Sequence, residues 1–392
     1  QNIMKEKYSK NIIISSTVWI SLTLASIIQN ILIKGQFNNY LIFKGVFWHT
    51  LSETGLYKEY PSEYFDVNHY GIFFSLIIAP FALLQDKIGA SLWIIANSFL
   101  LLWVIMKLPL TKQQIFGIIL ISAHDLYTAV CMQQFNPSII SLLITTFIFI
   151  EKGKSHWATL FIVIGTLTKL YGIVGLAFFF FAKDKLRFIY SLIIWFILLF
   201  CLPMLISSSE FVIEQYKDWF LVLQEKNQQN TDISFNLQNL SLLGFLQRTG
   251  IYNNNGLVIL SGIILFLLPY LRYKQFSSLK FRLMVLSSIS LFLCLFSTGT
   301  ENSTYIIAYV GIGLWYTVSP SKYKIWNLIL LILTILASLS PTDLFKPIKE
   351  NYIIHYSLRA IPPTLVWLTL IYEMLTLNYK DEEIKYNLKT IE

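Results

Sequence analysis

The apolar positions of this chain fall in long, nearly unbroken runs separated by short basic or polar stretches, not at the period of a half-buried helix or strand. The run 12–33 measures roughly 33 Å as a helix at about 1.5 Å per residue, enough to cross a hydrocarbon core of roughly 30 Å. Similar runs recur at 88–106, 115–130, 138–150, 188–206, 257–271, 283–296, 305–318, 325–339 and 361–377. Together they predict an all-α polytopic membrane protein with about 10 full transmembrane helices.

Two runs do not fit a simple crossing. Residues 71–84 are interrupted by Pro80 and reach only about 21 Å, which predicts a juxtamembrane or re-entrant helix. Residues 157–182 are flanked at both ends by basic stretches and carry Lys169, Tyr171 and Gly172 at their middle. One crossing cannot leave both flanks on one side, so the pattern predicts two half-helices meeting near Lys169. Such breaks are tolerated at membrane depth where they line an enclosed or watered cavity.

Charge then orients the threading. It places 19 of the 30 Lys and Arg residues on one side, which the positive-inside rule assigns to the cytoplasm together with both termini. The first run is too long for a signal-peptide h-region and lacks a small-x-small cleavage site, so it is expected to stay as an anchor. The outer face comprises loops 34–87 and 207–255 with shorter segments at 124–136, 297–304 and 341–360. Residues 1–392 read as a single integral membrane domain whose two large outer loops form an extracytoplasmic catalytic face. A chain 55% hydrophobic and only 13% charged suits this class, and its pI near 9.1 reflects loops facing an anionic leaflet, with no nucleic-acid partner implied. Cys131, Cys201 and Cys294 stand singly and predict neither a disulfide framework nor a metal site.

Walker, dinucleotide, HExxH, CxxC and Asp-x-Asp patterns are all missing from the sequence, which argues against a nucleotide donor and for a membrane-soluble activated substrate. The first outer loop sets Glu53, Glu59, Glu63, Asp66 and His69 among Tyr57, Tyr60, Tyr64 and Tyr70. Carboxylates among aromatic rings suit attack of a hydroxyl on a sugar anomeric carbon: a base takes the proton, and anions tolerate oxocarbenium character in the transition state. Solvated loop acids are the plainer alternative. Lys169 is either a structurally paired or snorkelling lysine or a cation offered to a lipid phosphate. Glu301, as sugar ligand or helix-start acid, and His124 with Asp125 stay equally open.

Tyr40-Leu-Ile-Phe-Lys-Gly45, Gly55-Leu-Tyr57, Tyr60-Pro-Ser-Glu63-Tyr-Phe-Asp66 and Tyr70 before the Pro80 segment resemble the first-loop pattern of glycosyltransferase family 87. Gln134-Phe-Asn136, Thr168-Lys169-Leu-Tyr-Gly172 and Asn239-Leu-Ser-Leu-Leu-Gly244 are similar to later elements of that family, so the resemblance runs from about residue 37 to 377. It implies a GT-C enzyme, akin to the polyprenyl-phosphate-mannose-dependent mannosyltransferases, in the bacterial inner (plasma) membrane with its active face extracytoplasmic. The implied reaction moves a hexose, mannose as first expectation, from a polyprenyl-phosphate donor to a glycolipid or glycan acceptor, with inversion and with no cofactor or metal. Asp66, or else Glu63, is then the catalytic base. Lys169, Arg248 and Arg359 are candidate phosphate ligands, and Asn39, Tyr57, Tyr60, His69, Gln134, Asn136 and Glu301 candidate substrate ligands. Where many members carry an early first-loop Asp, this chain has Asn38 and Asn39, which cannot take a proton. A flippase for lipid-linked glycans and a non-catalytic GT-C-like subunit are the competing readings; a flippase needs no loop base.

Overall fold

The computed structural model describes residues 2–232, 238–320, 323–342 and 346–380, and every regular element among them is helical. Lys322, Lys385 and Lys389 of the charge reading, with Asp381, Glu382, Glu383 and Glu392, lie outside the described residues. Four described helices are long and apolar enough to cross a membrane: Lys10–Ile33, Asp86–Met106, Lys112–Cys131 and Lys185–Leu205. The about ten full crossings expected from sequence are therefore not reached on length. Asn136–Glu151, Asn255–Leu271 and Lys324–Leu339 are apolar but shorter, and a 16-residue helix spans only about 24 Å.

Three stretches read as outer loops contain helices. Loop 34–87 holds the helices Asn38–Leu51 and Phe74–Ala82, and loop 207–255 holds Ser209–Thr231 and Leu242–Arg248. The helix Lys112–Cys131 runs straight through His124 and Asp125, so the segment 124–136 is mostly not a loop. Tertiary pairing explains why composition concealed these helices. Lys44, in the middle of Asn38–Leu51, is bonded to Asp86 at 2.5 Å. In Ser209–Thr231 the buried positions Val212, Gln215, Trp219 and Val222 form one face, while Glu210, Glu214, Lys217, Asp218 and the Gln/Asn-rich last turns break up the apolar residues between them.

The chain divides into two compact units. One comprises residues 20–104 and 129–226, and its most telling element is a hairpin. The α-helix Ser155–Lys169 ends at Leu170, whose φ of 47° is left-handed, and the 3-10 helix Tyr171–Phe181 runs back along it. Gly172 lies so close to the backbone of Gly165 and Thr166 that a Cβ would sit 2.4 Å from it, and Gly175 faces Ile162. Gly153 meets Lys183 at the open end. Each arm is about 22 Å long, so the tip, at Lys169 to Tyr171, lies short of a full bilayer. The two half-helices expected near Lys169 are thus present.

The other unit comprises residues 1–19, 105–128 and 227–392. Its helices Leu279–Leu295 and Tyr305–Val318 pack closely where Ser287 Oγ donates to the Gly311 carbonyl at 2.6 Å. Within this unit Asp125 and Arg359, both nearly solvent-free, form an ion pair.

Candidate functional site

The first unit gathers most of the sequence-derived candidates. At the hairpin tip the Lys169 ammonium donates to Asn136 Oδ1 at 2.7 Å and lies 5.5 Å from the Tyr70 ring centroid and 5.0 Å from that of Tyr171. Asn136 opens the helix Asn136–Glu151, whose next residue, Pro137, needs no N–H there. Tyr70 Oη donates to Gln134 Oε1 at 3.2 Å, and the Tyr70 ring meets Phe43 and Phe74 with centroids 4.9 and 4.7 Å away. Lys169, Asn136, Gln134 and Tyr70 are thereby one cluster.

The end of the first loop is fastened onto that tip. The Gly71 amide donates to the Thr168 carbonyl at 3.0 Å, and a Cβ on Gly71 would fall 2.2 Å from the Leu167 oxygen, so glycine alone permits the approach. The Asn68 side chain bonds both the N–H and the C=O of Tyr70, and Trp219 Nε1 donates to the His69 carbonyl at 2.8 Å. Burial, the largest effect, and the ammonium groups of Lys226 and Lys169 push the His69 imidazole down to about 4; the Asp66 carboxylate and a bond to the Val67 backbone oppose them. His69 is therefore neutral near pH 7.

Toward the start of the loop, Asn38 clamps Phe65 with two 2.8 Å bonds, accepting from its N–H and donating to its carbonyl, and Asn39 donates to the Met132 carbonyl at 2.8 Å. A carboxylate in place of either amide would have no donor for its carbonyl partner, so asparagine fits both positions. These residues border an open cavity of about 640 Å³, lined also by Gln36, Glu63, Phe65 and Gln133. Glu63 accepts from His49 Nε2 at 3.1 Å, and the imidazole packs on Tyr60 with ring centroids 4.0 Å apart. Since a carboxylate only accepts, Nε2 carries the proton. His49 escaped the sequence reading because it lies in a helix taken for loop.

Asp66 sits between the two groups. Glu63 and Phe65 line the cavity, His69 and Tyr70 adjoin Lys169, and Asp66 is the exposed carboxylate between them, with left-handed φ of 75° and Oδ1 accepting from the Val67 N–H at 2.8 Å. A non-glycine residue held in this conformation is strained, as residues at functional sites often are. Tyr57 and Tyr60 are half-buried and donate their hydroxyls to the carbonyls of Tyr70 and Gly55, at 3.1 and 2.6 Å. Both brace the loop.

Arg248, Glu301 and Arg359 belong to the second unit, so they are not gathered with Lys169 in one unit. Arg248 donates to the Ile354 carbonyl at 2.9 Å. Glu301 caps the short helix Asn302–Thr304 through a capping box, the helix-start role. Arg359, only 2% exposed, is bonded to Asp125 and, at 2.7 Å, to Asn302 Oδ1, with its guanidinium 4.2 Å from the Tyr305 ring centroid. Arg359 is thus held in a buried ion pair within this unit, with Asp125 as its counter-charge.

No curated protein matches the chain. The profile of glycosyltransferase family 87 matches residues 68–298, a span that includes His69, Gln134, Asn136, Lys169 and Arg248 and begins just after Asp66. With apolar helices long enough to cross a bilayer and more than half of its length matched, the chain belongs to glycosyltransferase family 87 and is a membrane glycosyltransferase.

Proposed function

We propose that the protein transfers a hexose, mannose first, from a polyprenyl-phosphate donor to a glycolipid or glycan acceptor on the extracytoplasmic side, with inversion and without a metal. The observation that carries this reading is Lys169 at the tip of a broken hairpin, held by Asn136 and joined to a carboxylate-bearing loop. A half-buried ammonium at the hairpin tip can serve an anion presented there, and a lipid phosphate delivers its anion at membrane depth. The acceptor hydroxyl occupies the cavity beside Glu63. Its oxygen bonds to the anomeric carbon as the carbon–oxygen bond to phosphate breaks, the released pair stays on the phosphate, and Asp66 takes the proton. The shorter apolar helices complete a polytopic fold of about ten crossings in a bacterial inner membrane, in a bilayer thinned around them. In that topology residues 34–87 and 207–255 face outward and both termini face the cytoplasm.

The deciding assay incubates purified protein with labelled polyprenyl-phosphate hexoses and, separately, with nucleotide sugars. Transfer is expected from the lipid phosphates alone, with the mannosyl donor best, and transfer from a nucleotide sugar alone would overturn the donor assignment. Lys169→Met is expected to weaken donor binding about tenfold to a hundredfold, the range of one charge-assisted hydrogen bond of about 1.5–3 kcal/mol. An unchanged donor dissociation constant would leave this lysine a purely structural partner of Asn136. For sidedness, with native cysteines replaced, cysteine at the exposed Ser62 should react with an impermeant thiol reagent in sealed cells. One at the exposed Ser277 should not. Equal labelling at both positions sinks the orientation.

A further inference from the structure

The cavity beside Glu63 has a chemical character that the transfer reaction by itself does not require. Its volume of about 640 Å³ falls within the roughly 300–1,000 Å³ of sites that take a small molecule. Glu63 is the one charged side chain among the residues that line it, with no Lys or Arg beside it. Lys34, which precedes the lining residue Gly35, is exposed and does not line the cavity. The side-chain amide nitrogens around the cavity are each engaged with a backbone carbonyl: Asn38 donates to Phe65, Asn39 to Met132, and Gln133 to Cys131 and Gln36. Glu63 is half-exposed and accepts from His49 with Oε2, which leaves Oε1 and its lone pairs for the hydroxyls of a ligand. The second nitrogen of His49, Nδ1, is buried without a partner, so this ring acts on a ligand only by aiming Glu63. Phe65, 78% exposed on a backbone that Asn38 clamps at both N–H and C=O, adds a bare ring to the same cavity.

We propose that this cavity seats an uncharged pyranose at the end of the acceptor glycan and rejects a sugar that carries a carboxylate or a phosphate. This rests on the transfer reading above and narrows the acceptor that it leaves open. A pyranose has hydroxyls at its edge and a face of C–H groups. It can donate neighbouring hydroxyls to Glu63 Oε1 while that face covers the Phe65 ring, which removes apolar surface of both from water. An acidic sugar meets the opposite: the lining holds no cation for it, and the Glu63 carboxylate repels it in a recess where charge is less screened than in open water. His49 is a positioning residue, since its bond holds Glu63 in place before the acceptor arrives and so reduces what must be ordered on binding. Phe65 immediately precedes Asp66, so a sugar seated on that ring is brought alongside the carboxylate that takes the proton.

The test uses the full-length protein in detergent with a methyl hexoside and the corresponding methyl hexuronide as probes. Binding is read without donor by saturation-transfer NMR titration, and KM and kcat are read for the same sugars with a labelled lipid-phosphate donor. The wild-type protein should bind the hexuronide at least about tenfold more weakly than the hexoside. Glu63→Gln should weaken the hexoside about tenfold and bring the two sugars within about threefold of each other. Phe65→Ala should weaken the hexoside by a similar factor and keep the preference against the hexuronide. His49→Phe should raise the acceptor KM with kcat at saturating acceptor within about threefold of wild type, and His49→Gln, whose amide can still donate to Glu63, should recover most of the loss. Thermal unfolding identifies any misfolded variant, and Glu63→Gln, at a half-exposed position, carries the test if His49→Phe is lost. A hexuronide bound as tightly as the hexoside, a hexoside that does not bind, or hexoside binding unchanged in both Glu63→Gln and Phe65→Ala overturns the proposal. Glu63→Gln that loses kcat and keeps affinity also overturns it, by making Glu63 the base. Transfer that uses both sugars equally sinks this proposal alone, whereas sugar binding with the stated preference and no transfer from any lipid phosphate sinks the donor reading and leaves the cavity as a site for neutral sugar.

Discussion

Asp66→Asn is expected to lower turnover by about a hundredfold to ten-thousandfold while leaving donor affinity within a few-fold of wild type. Asparagine suits the site structurally: it tolerates the left-handed φ of 75°, and its side-chain oxygen still accepts from the Val67 N–H. What it lacks is a place for the acceptor proton. Glu63→Gln is the control, since Glu63 lines the cavity but already accepts from His49. Steady-state kinetics with donor binding measured separately distinguishes the outcomes. If Glu63→Gln abolishes turnover and Asp66→Asn does not, the two carboxylates exchange roles. Full activity in both moves the base to His69, the neutral imidazole at the far end of the loop. A chelator should leave the wild-type rate unchanged, and recovery only with Mg²⁺ or Mn²⁺ would point to metal-assisted chemistry.

The hairpin at 155–181 was legible because two local signals agreed: basic stretches at both ends, and a Lys-Leu-Tyr-Gly break halfway along. Gly172 and Gly175 allow the close return, and such glycines show in a sequence. The helices Asn38–Leu51 and Ser209–Thr231 were not legible, because Lys44 and His49 interrupt the apolar residues of the first, which is too short to span, and the second mixes apolar with many polar residues. What recruits those residues is distant in sequence: Lys44 waits for Asp86, Gln215 for Leu56, Trp219 for His69. The site divides along the same line. Lys169 with Asn136 and Gln134 came from motif and membrane cost, whereas His49 and Trp219 lie on helices that were not foreseen. Asn38 and Asn39 counted against catalysis in the sequence. The structure gives each amide a carbonyl to donate to, so they act as clamps for the loop, and the burden of proton acceptance falls on the carboxylates that follow. Arg359 illustrates a partner that the sequence conceals. A basic residue in a segment read as outer surface suggested a phosphate ligand, and only the fold reveals Asp125, far away in sequence, as its partner.

That pairing sets the second large effect. Arg359→Met should destabilise the folded protein by about 3–5 kcal/mol, because it strands the Asp125 carboxylate in a site with no solvent. The remaining Asp125 contact, a 2.6 Å bond from Ser338 Oγ, is too little to hold a full charge away from water. Removing both charges has a different consequence. In Asp125→Asn with Arg359→Met the asparagine keeps an acceptor for Ser338, methionine fills much of the arginine stem's volume beside Tyr305, and no buried ion remains. Most of the lost stability should return, so the coupling in a double-mutant cycle is large and compensating. Thermal unfolding in detergent measures it, and a double variant no more stable than Arg359→Met alone would mean that the arginine stabilises the fold through Asn302 or Tyr305 instead. The same double variant also separates structure from binding. A refolded protein without Arg359 should bind the polyprenyl-phosphate donor as wild type does, and loss of binding in that stable background would return Arg359 to the phosphate.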